Sequence, residues 1–174
     1  MKQFIQSIKN AFTRFRLQYS KYDDGLYLFF GKDRYNRPED NQVFITSSID
    51  QNIILKMKAP DGNYNAVQMK FVREHDTINF IFPVTEEYVI YIPKANRITK
   101  LTLDDSMVTN PLSDFARMTS LHLLSIMDTE VHGHINDLKK LPFLSILCLS
   151  SKYIKGIDKD TFNDWRNIKL HEID

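Results

Sequence analysis

A chain of 174 residues, 43% hydrophobic and 26% charged, can bury a core of its own and is not a disordered tail. The formal net charge is +1, so no global field selects nucleic acid, an anionic membrane or acidic substrates. The single cysteine, Cys148, excludes an intramolecular disulfide and a multi-cysteine metal site, and fits a reducing, cytoplasmic location.

No stretch approaches the ~18–20 consecutive apolar residues of a membrane span. Residues 1–25 hold no continuous apolar run of the kind a secretory signal needs. They do place Phe4, Ile5, Ile8, Phe12 and Phe15 at helical spacing, with Lys2, Lys9, Arg14 and Arg16 and no acid before Asp23. The pattern predicts a basic amphipathic helix with its stripe docked on the chain's own sheet. The same features would also serve attachment to a membrane surface or RNA.

Six β-prone segments follow: Leu26–Phe30, Gln42–Ile49, Ile53–Lys58, Ala66–Arg73, Thr77–Val84 and Tyr88–Ile92. Turn-rich stretches separate them, among them Ala59-Pro60-Asp61-Gly62-Asn63 and Glu74-His75-Asp76. Residues 1–97 are therefore expected to form a helix packed on an antiparallel β-meander. No glycine-rich phosphate loop, nucleophile elbow or helical HExxH occurs there.

From Ile98 the period changes. A step of 23 residues connects Ile98, Leu121 and Leu144; Leu101, Leu124, Leu147 and Leu170; and Leu103, Ile126 and Leu149. Val108, Val131 and Ile154 continue the pattern, as do the pairs Leu112–Ile135, Phe115–Leu138 and Met118–Leu141. Asp114, Asp137 and Asp160 recur at the same interval, suited to the cap or first turn of a short helix. The third unit slips by one residue at Ile157, Phe162 and Trp165. Within each unit the spelling is LxxLxLxx(S/T/K)x(V/I). Two of the five histidines sit in the second unit's Val131-His132-Gly133-His134-Ile135. Their columns supply no companion ligands, whereas Gly133 recurs as Gly156, so the glycine is read as a turn residue and no metal is expected.

This spelling, over residues 98–174, resembles the leucine-rich repeat family. The resemblance implies an α+β fold, in which residues 1–97 cap a short solenoid of three to four units with parallel strands and short helices. Leu101-Thr102-Leu103, Leu124-Ser125-Ile126 and Leu147-Cys148-Leu149 would be its stacked strands. The family commonly places Asn where this chain has Ser106, Thr129 and Lys152, and Lys152 cannot accept a hydrogen bond.

The resemblance further implies a concave face used for binding proteins. Its outward columns would be Lys100, Leu123, Ile146 and Lys169; Thr102, Ser125, Cys148 and His171; Asp104, Met127, Ser150 and Ile173; and Asp105, Asp128, Ser151 and Asp174. An apolar centre at Leu123, Ile146 and Met127 within a polar rim is the anatomy of a protein interface. The expected function is a non-catalytic protein-binding module, an adaptor or a neutralising partner, with no cofactor. A second copy could pair along the C-terminal edge strand. The enzyme alternative would need Asp23, Asp24, Glu74, His75 and Asp76 to converge, with the repeats choosing the substrate.

Overall fold

The computed structural model describes residues 25–33, 40–158, 160–163, 165, 168 and 170–173. The expected basic helix, Asp23 and Asp24, Lys169 and Asp174 lie outside them.

Strands β1 (Leu26–Phe30), β2 (Asn41–Ser47), β3 (Gln51–Lys58), β4 (Tyr64–Val72), β5 (Thr77–Phe82) and β6 (Tyr88–Ile92) occupy the first half. They do not form the expected meander. β1, β6, β3 and β4 pair in that order as one antiparallel sheet. β2 and β5 leave it and join strands from the second half.

The second half supplies β7 (Ile98–Thr102), a one-turn helix α1 (Leu112–Phe115), β8 (Leu123–Ile126), β9 (Gly133–His134), β10 (Ile146–Leu149), β11 (Ile154–Lys155) and β12 (Leu170–Ile173). The larger sheet has six strands in the order β12-β10-β8-β7-β2-β5. Within it β7, β8, β10 and β12 run parallel, while β2 is antiparallel to both β7 and β5. The 23-residue step appears as strand register: Lys100 pairs with Leu123 and Leu123 with Ile146.

This architecture overturns the expected solenoid. A solenoid's sheet holds only repeat strands and is backed by a layer of helices. Here the repeat strands are part of a mixed sheet that β2 and β5 complete, and among the described residues the helical elements are the one-turn α1 and short 3-10 turns at Ala95–Arg97, Ile135–Lys140 and Ser151–Tyr153. The repeat segments are too short to close their own layer, so the first half's strands close it instead. The last step also departs from 23. Ile146 pairs with Leu170 and Leu147 with His171, one residue beyond the expected partners, matching the slip at Ile157 and Phe162.

The two sheets face each other across one core. Leu28, Ile53, Leu55 and Ile90 of the smaller sheet share a buried cluster with Val43, Ile45, Phe80 and Leu101 of the larger. The Phe82 ring meets Phe30 edge-on at 5.0 Å and Tyr88 at 4.9 Å, tying β5 to β1 and β6. The cluster continues beneath the repeats through Leu112, Phe115, Leu124, Ile135 and Leu138. Each such side chain contributes on the order of 1.5–3 kcal/mol through apolar area removed from water.

The outer edge of β1 is covered by the segment after β7. Gly31 N–H donates to the Met107 carbonyl at 3.0 Å, and Thr109 N–H to that of Phe29 at 2.9 Å. Phe29 N–H reaches the Asn110 side-chain oxygen at 2.8 Å. Unpaired strand edges invite association with other chains, and this strap removes one.

Candidate protein-binding face

Backbone pairing decides which side chains share a face, because partners across a sheet point the same way and neighbours along a strand alternate. In β8 and β10, Leu124, Leu147 and Leu149 point into the core, and Leu123, Ile146 and Cys148 lie half-buried on the opposite, outward side. Lys100 is exposed and Thr102 half-exposed in the same rows.

The turns after β7 and β8 are built alike. Asp105 and Asp128 both take left-handed backbone, at φ 56° and 50°. Ser106 and Thr129, at the positions where the resemblance leads one to expect Asn, donate their hydroxyls to the carbonyls of Leu103 (2.5 Å) and Ile126 (3.0 Å). A hydroxyl thus satisfies the turning backbone from its donor side. Lys152, in the third turn, is exposed with its ammonium 4.9 Å from the Tyr153 ring centre.

Asp104 is pulled onto the outward face. Its carboxylate accepts the Ser125 hydroxyl at 2.8 Å to each oxygen and the Met127 N–H at 2.8 Å. Met127 and Ser150 are half-exposed beside it, and the Ser150 hydroxyl accepts the Asp128 N–H at 2.8 Å. Lys100, Thr102, Asp104, Leu123, Ser125, Met127, Ile146, Cys148 and Ser150 therefore come together on consecutive strands and the turns that end them. His171 falls out of its expected column: Glu172, not His171, pairs with Cys148, and Leu170 stands beside Ile146.

Sequence reasoning missed the other half of this face. β2 pairs Phe44 with Thr102 and Thr46 with Lys100, and β5 pairs Ile81 with Gln42. Phe44 (38% exposed) and Ile81 (55%) thereby extend the apolar surface across the antiparallel strands. The local signal was present, since Phe44 alternates with the fully buried Val43 and Ile45. What no local pattern carries is that β2 lies against β7.

Of the aspartates expected to start short helices, Asp114 and Asp137 sit in first turns without acting as caps, and among the described residues no helix starts at Asp160. Asp114 is the third residue of α1 and accepts the Asn110 amide at 2.8 Å, and Asp137 is the third residue of the Ile135–Lys140 turn. That second turn is capped by His134, whose Nδ1 accepts the Asn136 N–H at 3.3 Å. The His132 ring nitrogen lies 3.4 Å from the Glu130 carbonyl. Among the described residues no group of three or more His, Cys, Asp or Glu side chains could hold a metal ion.

Glu74, His75 and Asp76 are exposed on the turn between β4 and β5. The His75 imidazole contacts Glu74 at 3.5 Å in open solvent, and Glu74 N–H is held by the Asp50 carboxylate at 2.8 Å. No helix among the described residues is long and apolar enough to cross a membrane. No family model matches the chain, and no curated protein or solved structure is significantly similar to it.

Proposed function

We propose that this chain is a non-catalytic protein-binding module, whose partner seats on the outward face of the six-stranded sheet. The observation that supports it is the set of solvent-accessible apolar side chains, Ile81, Phe44, Leu123, Ile146 and Met127, on a sheet whose other face, in β2, β5, β7, β8 and β10, packs against the core. Such side chains within a polar rim match the composition of protein interfaces. Asp104 and Ser150 would form that rim, while Lys100 and Thr102 on β7, with Ser125 beside them, would be polar contacts between Phe44 and the Leu123–Ile146 pair. A cytoplasmic location belongs to the same proposal and rests on the single cysteine. β12 ends the six-stranded sheet, so pairing with a second copy would take place along it.

The test is affinity capture with the full chain and with Leu123→Asp, Ile146→Asp and Phe44→Asp. Phe44 already meets solvent, so its variant should keep a cooperative unfolding transition. The proposal expects a partner captured by the parent chain and lost from these variants. A partner retained by all three overturns it.

A further inference from the structure

The parallel repeat strands give this face a polarity that β2 and β5 do not share. Because β7 and β8 run in the same direction, the turns that follow them lie at the same end of the sheet. Asp104 and Asp105 follow β7, and Asp128 follows β8. The two turns are joined: Asp105 N–H donates to the Met127 carbonyl at 3.0 Å, and Leu103 N–H to that of Ser125 at 2.9 Å. Neighbouring strands stand about 4.8 Å apart, so the acids are ranked at roughly that spacing along the end of the face. The Asp104 carboxylate is held by two donors, the Ser125 hydroxyl shared between its oxygens and the Met127 N–H, and still has acceptor capacity, as an ionised carboxyl offers about four lone-pair sites. The exposed Lys100 lies towards the opposite end, level with Leu123. The turn after β10, which is parallel to β8, carries the exposed Lys152 at this same end, so the acids are concentrated on the turns after β7 and β8.

Resting on the binding face proposed above, we infer that its partner is a protein segment with an apolar stripe and a basic cluster, the cations lying against Asp104 and Asp128 while the apolar side chains cover Leu123, Ile146 and Phe44. Charge complementarity selects this occupant. An acidic partner would set like charges beside a carboxylate already fixed in place, and wholly apolar cover would strip water from it without giving a cation in return. Oriented charges at one end also fix which way the partner lies, which an apolar row alone cannot do.

Fluorescence anisotropy with two labelled peptides tests this on the full chain, one alternating leucine with lysine and the other, of equal length, leucine with glutamate. The leucine–lysine peptide should bind, and its affinity should fall as salt rises. The pair Asp104→Asn and Asp128→Asn should weaken it by roughly three- to tenfold, the range for two exposed ion pairs. Glu74→Gln, which removes an exposed acid from the turn between β4 and β5 and touches neither carboxylate, should leave the affinity unchanged. Phe44→Asp should abolish binding. Equal or tighter binding of the leucine–glutamate peptide overturns the inference; if that binding is still lost in Phe44→Asp, the face stands and only its charge preference falls. Binding of the leucine–lysine peptide that ignores both carboxylates, or binding of neither peptide, also overturns it. Binding unchanged in Phe44→Asp places the site elsewhere and removes face and inference together.

Discussion

A Cβ built on Gly156 would lie 2.3 Å from Cε1 of the His134 imidazole. The two residues are brought together because β11 pairs parallel to β9, Ile154 with Gly133 and Lys155 with His134. Both glycines take positive φ, +135° at Gly133 and +81° at Gly156, where L residues are strained. In Val131-His132-Gly133-His134-Ile135, the glycine sets the backbone and His134 caps the following turn.

The two positions should differ in how they respond to alanine. At Gly156 the obstructing atoms belong to an exposed ring that can swing away by giving up its bond to the Asn136 N–H, so the cost is the backbone term of about 1–2 kcal/mol and the weak cap, which contributes under about 1 kcal/mol. At Gly133 the new methyl would meet Leu112 at ordinary contact distance, and the cost lies in the backbone, whose φ of +135° falls outside the left-handed helical region that L residues can visit. Gly133→Ala should therefore cost more, about 2–4 kcal/mol. Urea titrations of both variants decide the order, and a Gly156→Ala loss equal to or larger than that of Gly133→Ala contradicts it.

Asn110, 1% exposed, fastens the two halves of the chain. Its oxygen accepts the Phe29 N–H, and its amide donates to the Tyr27 carbonyl at 2.8 Å and to Asp114 at 2.8 Å. Asn110→Leu keeps the volume and removes these partners, leaving an amide and a carbonyl of β1 desolvated at about 1–3 kcal/mol each. A loss of roughly 3 kcal/mol is expected, with faster amide exchange at Phe29. Exchange at Phe29 as slow as in the parent would show that the strap does not depend on Asn110.

Stability should fall at alkaline pH through Tyr64. Burial raises its phenol pKa to about 12, and the negative charge of Glu87 adds to the shift. The folded state holds the proton more tightly than the unfolded chain, whose phenol titrates near 10. The contribution is thus complete below pH 10 and disappears as pH rises from about 10 to about 12, and solvent screening at this half-buried ring holds it to about 1–2 kcal/mol. Tyr64→Phe should flatten this alkaline limb relative to the parent in denaturant midpoints measured across that window. Identical limbs would assign the loss to other groups.

How much of this was legible in the sequence follows from where each signal resides. The register of β7, β8 and β10 could be read because Leu101, Leu124 and Leu147 repeat a local environment at a fixed step. The strand segments of the first half were equally visible, since Asp61-Gly62-Asn63 and its counterparts interrupt alternating apolar runs. Their sheet partners were not. Val43 and Ile45 bury one face of β2 in whichever sheet it joins, so alternation alone could not choose β7 over β3. The assumption that repeats close on themselves then produced a solenoid where β2 and β5 complete a mixed sheet. For the same reason the face was read only as far as Thr102, and Phe44 and Ile81 were lost from it. The shift of His171 out of line with Cys148 has a visible sign in the slip at Ile157 and Phe162, which adds one residue before β12 and moves every later position off the 23-residue column.

The edges opposite β1 and β12 show how the chain guards exposed strands, and Lys70 supplies the last prediction. β4 and β5 end their respective sheets, and β4 exposes Val67, Met69 and Phe71, each at least half open to solvent. Such a row is a template for another chain. Two devices oppose pairing. The register of β4 on β3 shifts between Leu55 and Lys56, a bulge that interrupts the ladder. Lys70, paired with the buried Ile53, turns inward, where its ammonium donates to the Asn79 carbonyl of β5 and lies 5.2 Å from the Phe80 ring centre. One cation thus engages a β5 carbonyl from β4, and an incoming strand would have to accommodate that charge. Lys70→Met keeps the stem and removes the charge, so its apparent mass in sedimentation velocity should rise with concentration above that of the parent. Restoring a charge on the same strand with Met69→Lys should reverse the rise. A Lys70→Met chain that sediments like the parent at every concentration would assign edge protection to the bulge alone.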